Sequence, residues 1–350
     1  MKAATLPPAH RDARSLVILD GDGEIGMTGV GELHDHIESG SVLVLNDAAT
    51  LPASLSGVYL GDDGPIPIEI RLARHHDDGN WTAISFAEGS WRERTEDRAH
   101  GPALLPGGRM RFKSLHARVV SVDVDNPRML RVAFDAQGPD FLRALYREGR
   151  LIQYSYLERE LALWSAQTLF AGRPWAVEMP SAGHPLNATS LSRLRRKGVE
   201  IRRLTHAAGL SSTGQVDLDA RLPLPERYDI PADTAKAVES ARAEGRRVIA
   251  VGTTVVRALE SAAIQTPAGL GVRAGRGLAT LRLGPHSPLR CVDAILTGLH
   301  LPGESHFELL QAFAPRDALV RTMQSAALAG LRNHEFGDLA LVQRWQSAAA

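Results

Sequence analysis

Four short aliphatic runs, each stopping at small or polar residues, constrain this chain more than any other feature. Ser41–Leu45 (S-V-L-V-L) runs into Asn46-Asp47, and Trp175–Met179 (W-A-V-E-M) into Pro180-Ser181-Ala182-Gly183. Val199–Leu204 (V-E-I-R-R-L) runs into Thr205-His206, and Arg247–Val251 (R-V-I-A-V) into Gly252-Thr253-Thr254. Short runs rich in Val, Ile and Leu, bounded by turn formers, are strand signals. Helical stretches lie between or after them: Ala188–Lys197, Ala232–Glu244 with Gly245 as its stop, and Val255–Ala263. Strand alternating with helix predicts an α/β sandwich on a largely parallel sheet. Sheets of this kind bind ligands beyond the carboxyl ends of their strands. The polar residues that close the four runs are therefore expected to converge on one edge.

The stretch from Gly57 to Phe134 has a different rhythm. Short alternating segments, Ile66–Ala73, Trp81–Ala87, Arg109–Phe112, His116–Val124 and Met129–Phe134, are separated by turns such as Gly61-Asp62-Asp63-Gly64, Asp77-Asp78-Gly79-Asn80 and Pro106-Gly107-Gly108. That spacing predicts a small antiparallel β-barrel. The expected organisation is an α/β domain of residues 1–56 and 135–350, with the barrel inserted as 57–134. Beyond the short Ala348–Ala350 tail there is no low-complexity segment, and no repeat.

Bulk properties narrow the class. With 350 residues, 44% of them hydrophobic, the chain is long enough for two cores. Lys+Arg and Asp+Glu both number 40, so no net charge draws a polyanion to the whole surface. The one cysteine, Cys291, has no internal partner, and the thirteen histidines show no metal-binding spacing. No cofactor metal is expected. Met1–Arg14 lacks the apolar centre of a signal peptide, and no apolar run approaches the roughly 20 residues that span a bilayer. The expected location is cytoplasmic, without membrane contact.

Several segments, in order along almost the whole chain, resemble the S-adenosylmethionine:tRNA ribosyltransferase-isomerases of queuosine biosynthesis. Arg14–Asp20 (R-S-L-V-I-L-D) resembles that family's opening strand. Gly40–Pro52 (G-S-V-L-V-L-N-D-A-A-T-L-P) is similar to its G-D-x-L-V-L-N-D-T-R-V-I-P. Pro180–Gly183 (P-S-A-G) is similar to P-T-A-G, and Arg247–Ser261 (R-V-I-A-V-G-T-T-V-V-R-A-L-E-S) is close to the family form. Leu299–Pro302 (L-H-L-P) matches F-H-L-P, and Phe336–Asp338 (F-G-D) the terminal Y-G-D or F-G-D. The resemblance implies an α/β sandwich carrying an inserted barrel, and S-adenosylmethionine used as a ribosyl donor. In that reaction the sulfonium acidifies the adjacent ribose carbon, a base takes a proton, and adenine leaves. An aminomethyl group on a deazaguanine in tRNA attacks the sugar, methionine departs, and an epoxycyclopentane remains.

The chain also departs from the family. D-T-R-V becomes Asp47-Ala48-Ala49-Thr50, losing a hydroxyl and a guanidinium. L-H-F-T becomes His184-Pro185-Leu186-Asn187, and H-V-G-x-G-T-F-R becomes His206–Thr213 without the Phe-Arg ending. M-H-S-E falls near Leu222–Glu226, keeping only the glutamate, and N-F-H-L-P-K-S-T is Gly298–Ser305, losing an amide and a lysine. Lost polar contacts alter substrate choice. Two alternatives to tRNA modification therefore stay open: an S-adenosylmethionine-using enzyme that acts on a small-molecule acceptor or cleaves the cofactor, and a non-catalytic nucleoside-binding homologue.

Position and resemblance together single out residues. Thr253 and Thr254 open a helix after a strand, so they either cap it or leave its amides to a carboxylate. Arg257 either pairs with Glu260 on the helix surface or contacts the ligand. Asp47 is a turn-former or a carboxylate for ribose hydroxyls or proton removal. His300 is a core histidine or an acid/base group, and Glu226 a loop charge or the counterpart of the family's glutamate. The resemblance makes Asp47, His300 and Glu226 the catalytic candidates. It puts S-adenosylmethionine against Asn46, Ser181, Gly183, Gly252, Thr253, Thr254 and Arg257. The basic run Arg193–Lys197 is a solvated helix face or a phosphate contact.

Overall fold

Side-chain alternation along the strands dictates the layering. Val42 and Val44 enter the core on one face of the main sheet, while Leu43 and Leu45 enter the core on the other. Val248 and Ala250 against Ile249 and Val251 do the same, as do Val17 and Leu19 against Leu16 and Ile18. Strands apolar on both faces need cover on both. Helices Ala232–Ala243, Thr253–Ser261 and Arg316–Leu328 supply it on the first face, through residues such as Val238, Leu259 and Leu319. Helix Ala188–Arg196 and the short 3-10 helix Val30–His36 cover the second, through Leu191, Leu194 and Leu33. This computed structural model describes residues 1–61 and 64–346. The expected turn at Asp62-Asp63 and the tail Ala348–Ala350 lie outside the described residues.

The nine-stranded sheet runs, edge to edge, Gly275–Ala279, Glu226–Ile230, Glu200–His206, Val42–Asn46, Val248–Val251, Ala294–Gly298, Leu339–Gln343, Ser15–Leu19 and Ile25–Gly29. The α/β sandwich is as expected, and the four strands from Glu200–His206 to Ala294–Gly298 are mutually parallel. Both flanks bring in antiparallel pairs, although Ser15–Leu19 runs parallel to Leu339–Gln343; Ser15–Leu19 and Ile25–Gly29 are antiparallel because their connection is too short for a crossover.

One expected strand sits elsewhere. Arg173–Ala176 pairs with Ala48–Thr50 in a separate two-stranded sheet. Trp175 stays half-buried, with the guanidiniums of Arg173 and Arg227 at 5.6 and 4.1 Å from its ring centre. The run therefore lacks the two-faced aliphatic burial of a central strand. The chain beyond it still reaches the sheet's carboxyl edge, tied by Val177 N–H donating to Ala208 O at 2.8 Å.

Six antiparallel strands, Ser54–Gly61, Gly64–His75, Trp81–Ala87, Arg109–Phe112, Leu115–Val122 and Met129–Phe134, close into the barrel. A Cβ at Gly57 would stand 2.4 Å from Arg111 O, so only glycine lets those strands meet. No helix among the described residues is long and apolar enough to cross a membrane.

The barrel also encloses charge. The Glu69 carboxylate accepts from Arg71 Nε at 2.9 Å and from Arg98 Nη1 at 2.6 Å. The guanidiniums of Arg71, Arg98 and Arg128 lie 4.4 to 4.8 Å from the Phe86 ring centre. Burial pushes the Glu69 carboxyl up, but Arg71 and Arg98 outweigh it and hold it below its ordinary value of 4.5. A depressed folded value means stabilisation above the unfolded value that is lost as pH falls. Glu69→Gln, which leaves two buried guanidiniums uncompensated, is expected to lower stability by about 3–5 kcal/mol at pH 7. In urea titrations the gap to the unsubstituted protein should narrow as pH drops below about 4.5.

Candidate active site

A cavity of about 770 Å³ opens where the parallel strands end. That volume suits a nucleoside-sized ligand. Its walls come from the strand-end turns 178–182, 251–254 and 297–300, the crossing segments 154–156 and 208–212, the turn 333–335, and the loop 94–96 between barrel strands.

The turn at Gly252 admits a ligand to the backbone. Gly252 has φ +93°, a conformation that favours glycine, and donates its N–H to Leu296 O at 2.8 Å. It occupies the N-cap position of helix Thr253–Ser261, and no side chain caps the helix. Thr254 Oγ1 instead accepts from Asn46 Nδ2 at 3.3 Å. The positive end of this helix therefore faces the cavity, with Ser181 and Ala182 in the same wall.

Arg257 and Glu226 form the floor. Both are buried, at 4% and 6% exposure, and Arg257 Nη1 donates to Glu226 Oε2. The guanidinium also donates to Ala279 O at 3.0 Å, Leu281 O at 3.2 Å and Leu224 O at 3.3 Å. Glu226 Oε1 accepts Gly209 N–H at 2.5 Å. Burial pushes the Glu226 carboxyl up, against the pull of Arg257 and the Gly209 amide. His206 Nε2 lies 3.6 Å from Glu226 Oε2; burial, then the nearby Arg257, hold its imidazole well below its usual range and hence neutral. Arg257 and Glu260 do not pair at the surface. Glu260 is buried, accepting from the backbone N–H groups of Arg290, Cys291 and Val292 at 2.9 to 3.0 Å. Glu226 is no solvated loop charge, for it begins the strand Glu226–Ile230 inside the molecule.

His300 stands in one wall. Its Nε2 lies 3.1 Å from Thr297 Oγ1 and its Nδ1 3.4 Å from Glu304 Oε2. Its ring stacks on His306 at 4.7 Å between centres, and burial together with His300 lowers His306 to about 3. Across the cavity, Tyr154 Oη donates to Glu178, whose carboxyl is pushed up by burial. Tyr156 stacks between Tyr154 and His334, at 6.1 and 4.3 Å. His334 holds φ +67°, the positive-φ non-glycine position among the described residues.

The cavity thus brings together Ser181, Glu226, Gly252, Thr253, Thr254, Arg257 and His300. Asp47, Asn46 and Gly183 are not in its lining. Asp47 Oδ1 accepts from Thr205 Oγ1 at 2.6 Å, and Asn46 Oδ1 accepts the N–H groups of Ala48 and His206. Gly183 packs on Phe170, whose ring would lie 2.7 Å from a Cβ there. Sequence reasoning passed over Tyr154, Tyr156, Glu178, Glu304, His306, His334 and Glu335, all in the walls. Of these Glu178 carried a signal, a charge set inside an aliphatic run.

A family model described as "Queuosine biosynthesis protein" matches residues 1–342. The chain belongs to this family. The S-adenosylmethionine:tRNA ribosyltransferase-isomerase of Sorangium cellulosum is 36% identical, over 97% of this chain and 95% of that protein. Its namesake from Thermus thermophilus is 34% identical, over 95% and 93%. The crystal structure of S-adenosylmethionine tRNA ribosyltransferase from Thermotoga maritima superposes with a TM-score of 0.51 at 22% identity, covering 97% of this chain and 95% of that one, which supports the fold.

In this queuosine biosynthesis protein the Arg257 guanidinium serves the protein before any ligand, since its donors reach four protein acceptors. Arg257→Ala strands the Glu226 carboxylate in a buried site. It should cost about 3–5 kcal/mol of stability, read by chemical denaturation. Unchanged stability with weakened ligand binding would instead make Arg257 a direct ligand contact.

Proposed function

We propose that this chain is an S-adenosylmethionine-dependent ribosyltransferase-isomerase that transfers and isomerises the ribosyl group of S-adenosylmethionine onto a 7-aminomethyl-7-deazaguanine in tRNA. One observation carries the reading: the chain matches enzymes of that name along nearly its full length, and its large strand-end cavity presents an open helix N-terminus among acid and base groups. The amides at Gly252–Thr254 suit the carboxylate of the methionine moiety, with Ser181 alongside. His300, steadied by Glu304 and Thr297, is placed to exchange a proton with the sugar or the leaving base. Asp47 and Asn46 act from behind the wall, holding the strand end that carries Thr205 and His206 and the helix start that carries Thr254. Glu226 and Arg257 hold the floor.

The experiment is an incubation with S-adenosylmethionine, with and without tRNA bearing the 7-aminomethyl-7-deazaguanine. Adenine and methionine released together, and only when tRNA is present, is the expected result. Release without tRNA would point to cofactor cleavage or a small acceptor, and binding without turnover to a non-catalytic homologue. Affinity for the tRNA is expected to fall linearly on a log–log plot against salt. The barrel and the exposed Arg195 and Arg196 of the basic run are the expected contacts. Salt-independent binding would count against tRNA as the acceptor.

A further inference from the structure

The turn that carries the F-G-D motif, Phe336–Asp338, is pinned from several sides. Asp338 Oδ1 accepts Ser15 N–H and Oδ2 accepts Arg332 N–H, both at 2.7 Å. Asp338 N–H donates to Arg332 O at 2.8 Å, and Gly337 N–H to His334 O at 3.0 Å. Gly337 has no room for a Cβ, which would sit 2.4 Å from Arg332 O. Phe336 is buried with its ring edge-on to His184, whose Nδ1 faces Arg14 Nη2 at 2.7 Å. So firm a turn, carrying one positive-φ histidine, leaves Glu335 in the cavity wall.

The carboxylates in that wall differ in their commitments. Glu226 is bound to Arg257, and Glu304 accepts Leu301 N–H and faces His300. Glu178 takes the Tyr154 phenol. Glu335 meets the Tyr156 phenol and, among the described residues, has no cationic partner. Glu335 is half-buried in that wall, and a partly desolvated carboxylate without a counter-charge is relieved by a cation seated against it.

We infer that Glu335 receives the positive charge of a ligand, a sulfonium or a primary ammonium. This rests on the proposed function, which supplies both: the sulfonium and the α-ammonium of S-adenosylmethionine, and the aminomethyl group of the deazaguanine. Burial and the neighbouring Glu178 carry the Glu335 carboxyl up to about 8. The groups facing it are Tyr156 and Glu178, with His334 on its own turn and Glu304, which interacts with His334, beyond. At pH 7 the free protein therefore holds Glu335 mostly protonated. A cation docking there lowers that value and expels the proton.

The test is calorimetry at pH 7 in two buffers of different ionisation enthalpy. The ligands are S-adenosylmethionine, its thioether analogue S-adenosylhomocysteine, which lacks only the sulfonium charge, and 7-aminomethyl-7-deazaguanine. If the sulfonium is the partner, the wild type prefers S-adenosylmethionine over the thioether by about tenfold and releases roughly one proton on binding. Glu335→Gln then brings the two nucleosides within about threefold and abolishes proton release. If an ammonium is the partner, the variant instead weakens the molecule that carries it, both nucleosides alike for the α-ammonium or the deazaguanine for its aminomethyl group, and removes its proton release. Either pattern supports the inference and names the source of the charge. Wild-type binding without proton release for any of the three ligands overturns it. So does a Gln variant whose affinities all match the wild type. A wild type that binds none of them overturns the proposed function as well, and so separates the two failures.

Discussion

Arg257 and Glu226 meet at the floor of the cavity with almost no water around either, and the site is arranged about them. Arg257 belongs to the helix that follows the central parallel strand, while Glu226 starts a strand of the antiparallel flank. Their contact joins the two halves of the sheet edge across the cavity. Gly209 N–H on the same carboxylate fixes a third segment, and Ala279 O and Leu281 O on the guanidinium fix a fourth. A pair so desolvated contributes little net stability over an apolar equivalent, yet breaking it is expensive. Its value is therefore positional, since it holds helix, strand and turn in one geometry.

Around that neutralised floor the walls are acidic. Glu178 and Glu335 are both pushed up by burial, whereas His206 and His306 are pushed down. His206 and His306 stay neutral and able to accept a proton, and Glu335, pushed up to about 8, is ready to lose one. The open helix N-terminus at Gly252 is the contrasting electropositive feature. A zwitterionic ligand with a carboxylate at one end and a cation toward the other matches this polarity.

Much of this was legible in the sequence, and the misses have physical reasons. The aliphatic runs ending in Asn46 and Gly252 mark central strands because they are apolar on both faces, and the alternating segments of the barrel mark half-buried ones. Trp175–Met179 misleads because composition does not reveal that Trp175 rests on two arginines outside the main sheet. Arg257 and Glu260 look like a surface pair at helical spacing, and only the packing of the strands after Ala279 and Cys291 reveals their separate buried partners. The acidic wall was hidden for a similar reason. Tyr154, Glu304 and Glu335 lie far apart in the chain and belong to no local pattern, and Glu178 shows only as a charge inside an aliphatic run. Tertiary structure alone assembles them.

The most direct test of the account is amide hydrogen exchange with and without S-adenosylmethionine. The account predicts slowed exchange at Gly252–Thr254 and in segments 178–182 and 333–335, with the basic face Arg193–Lys197 unaffected. Protection confined to the barrel or to that basic face, with Gly252–Thr254 exchanging as in the free protein, would contradict it.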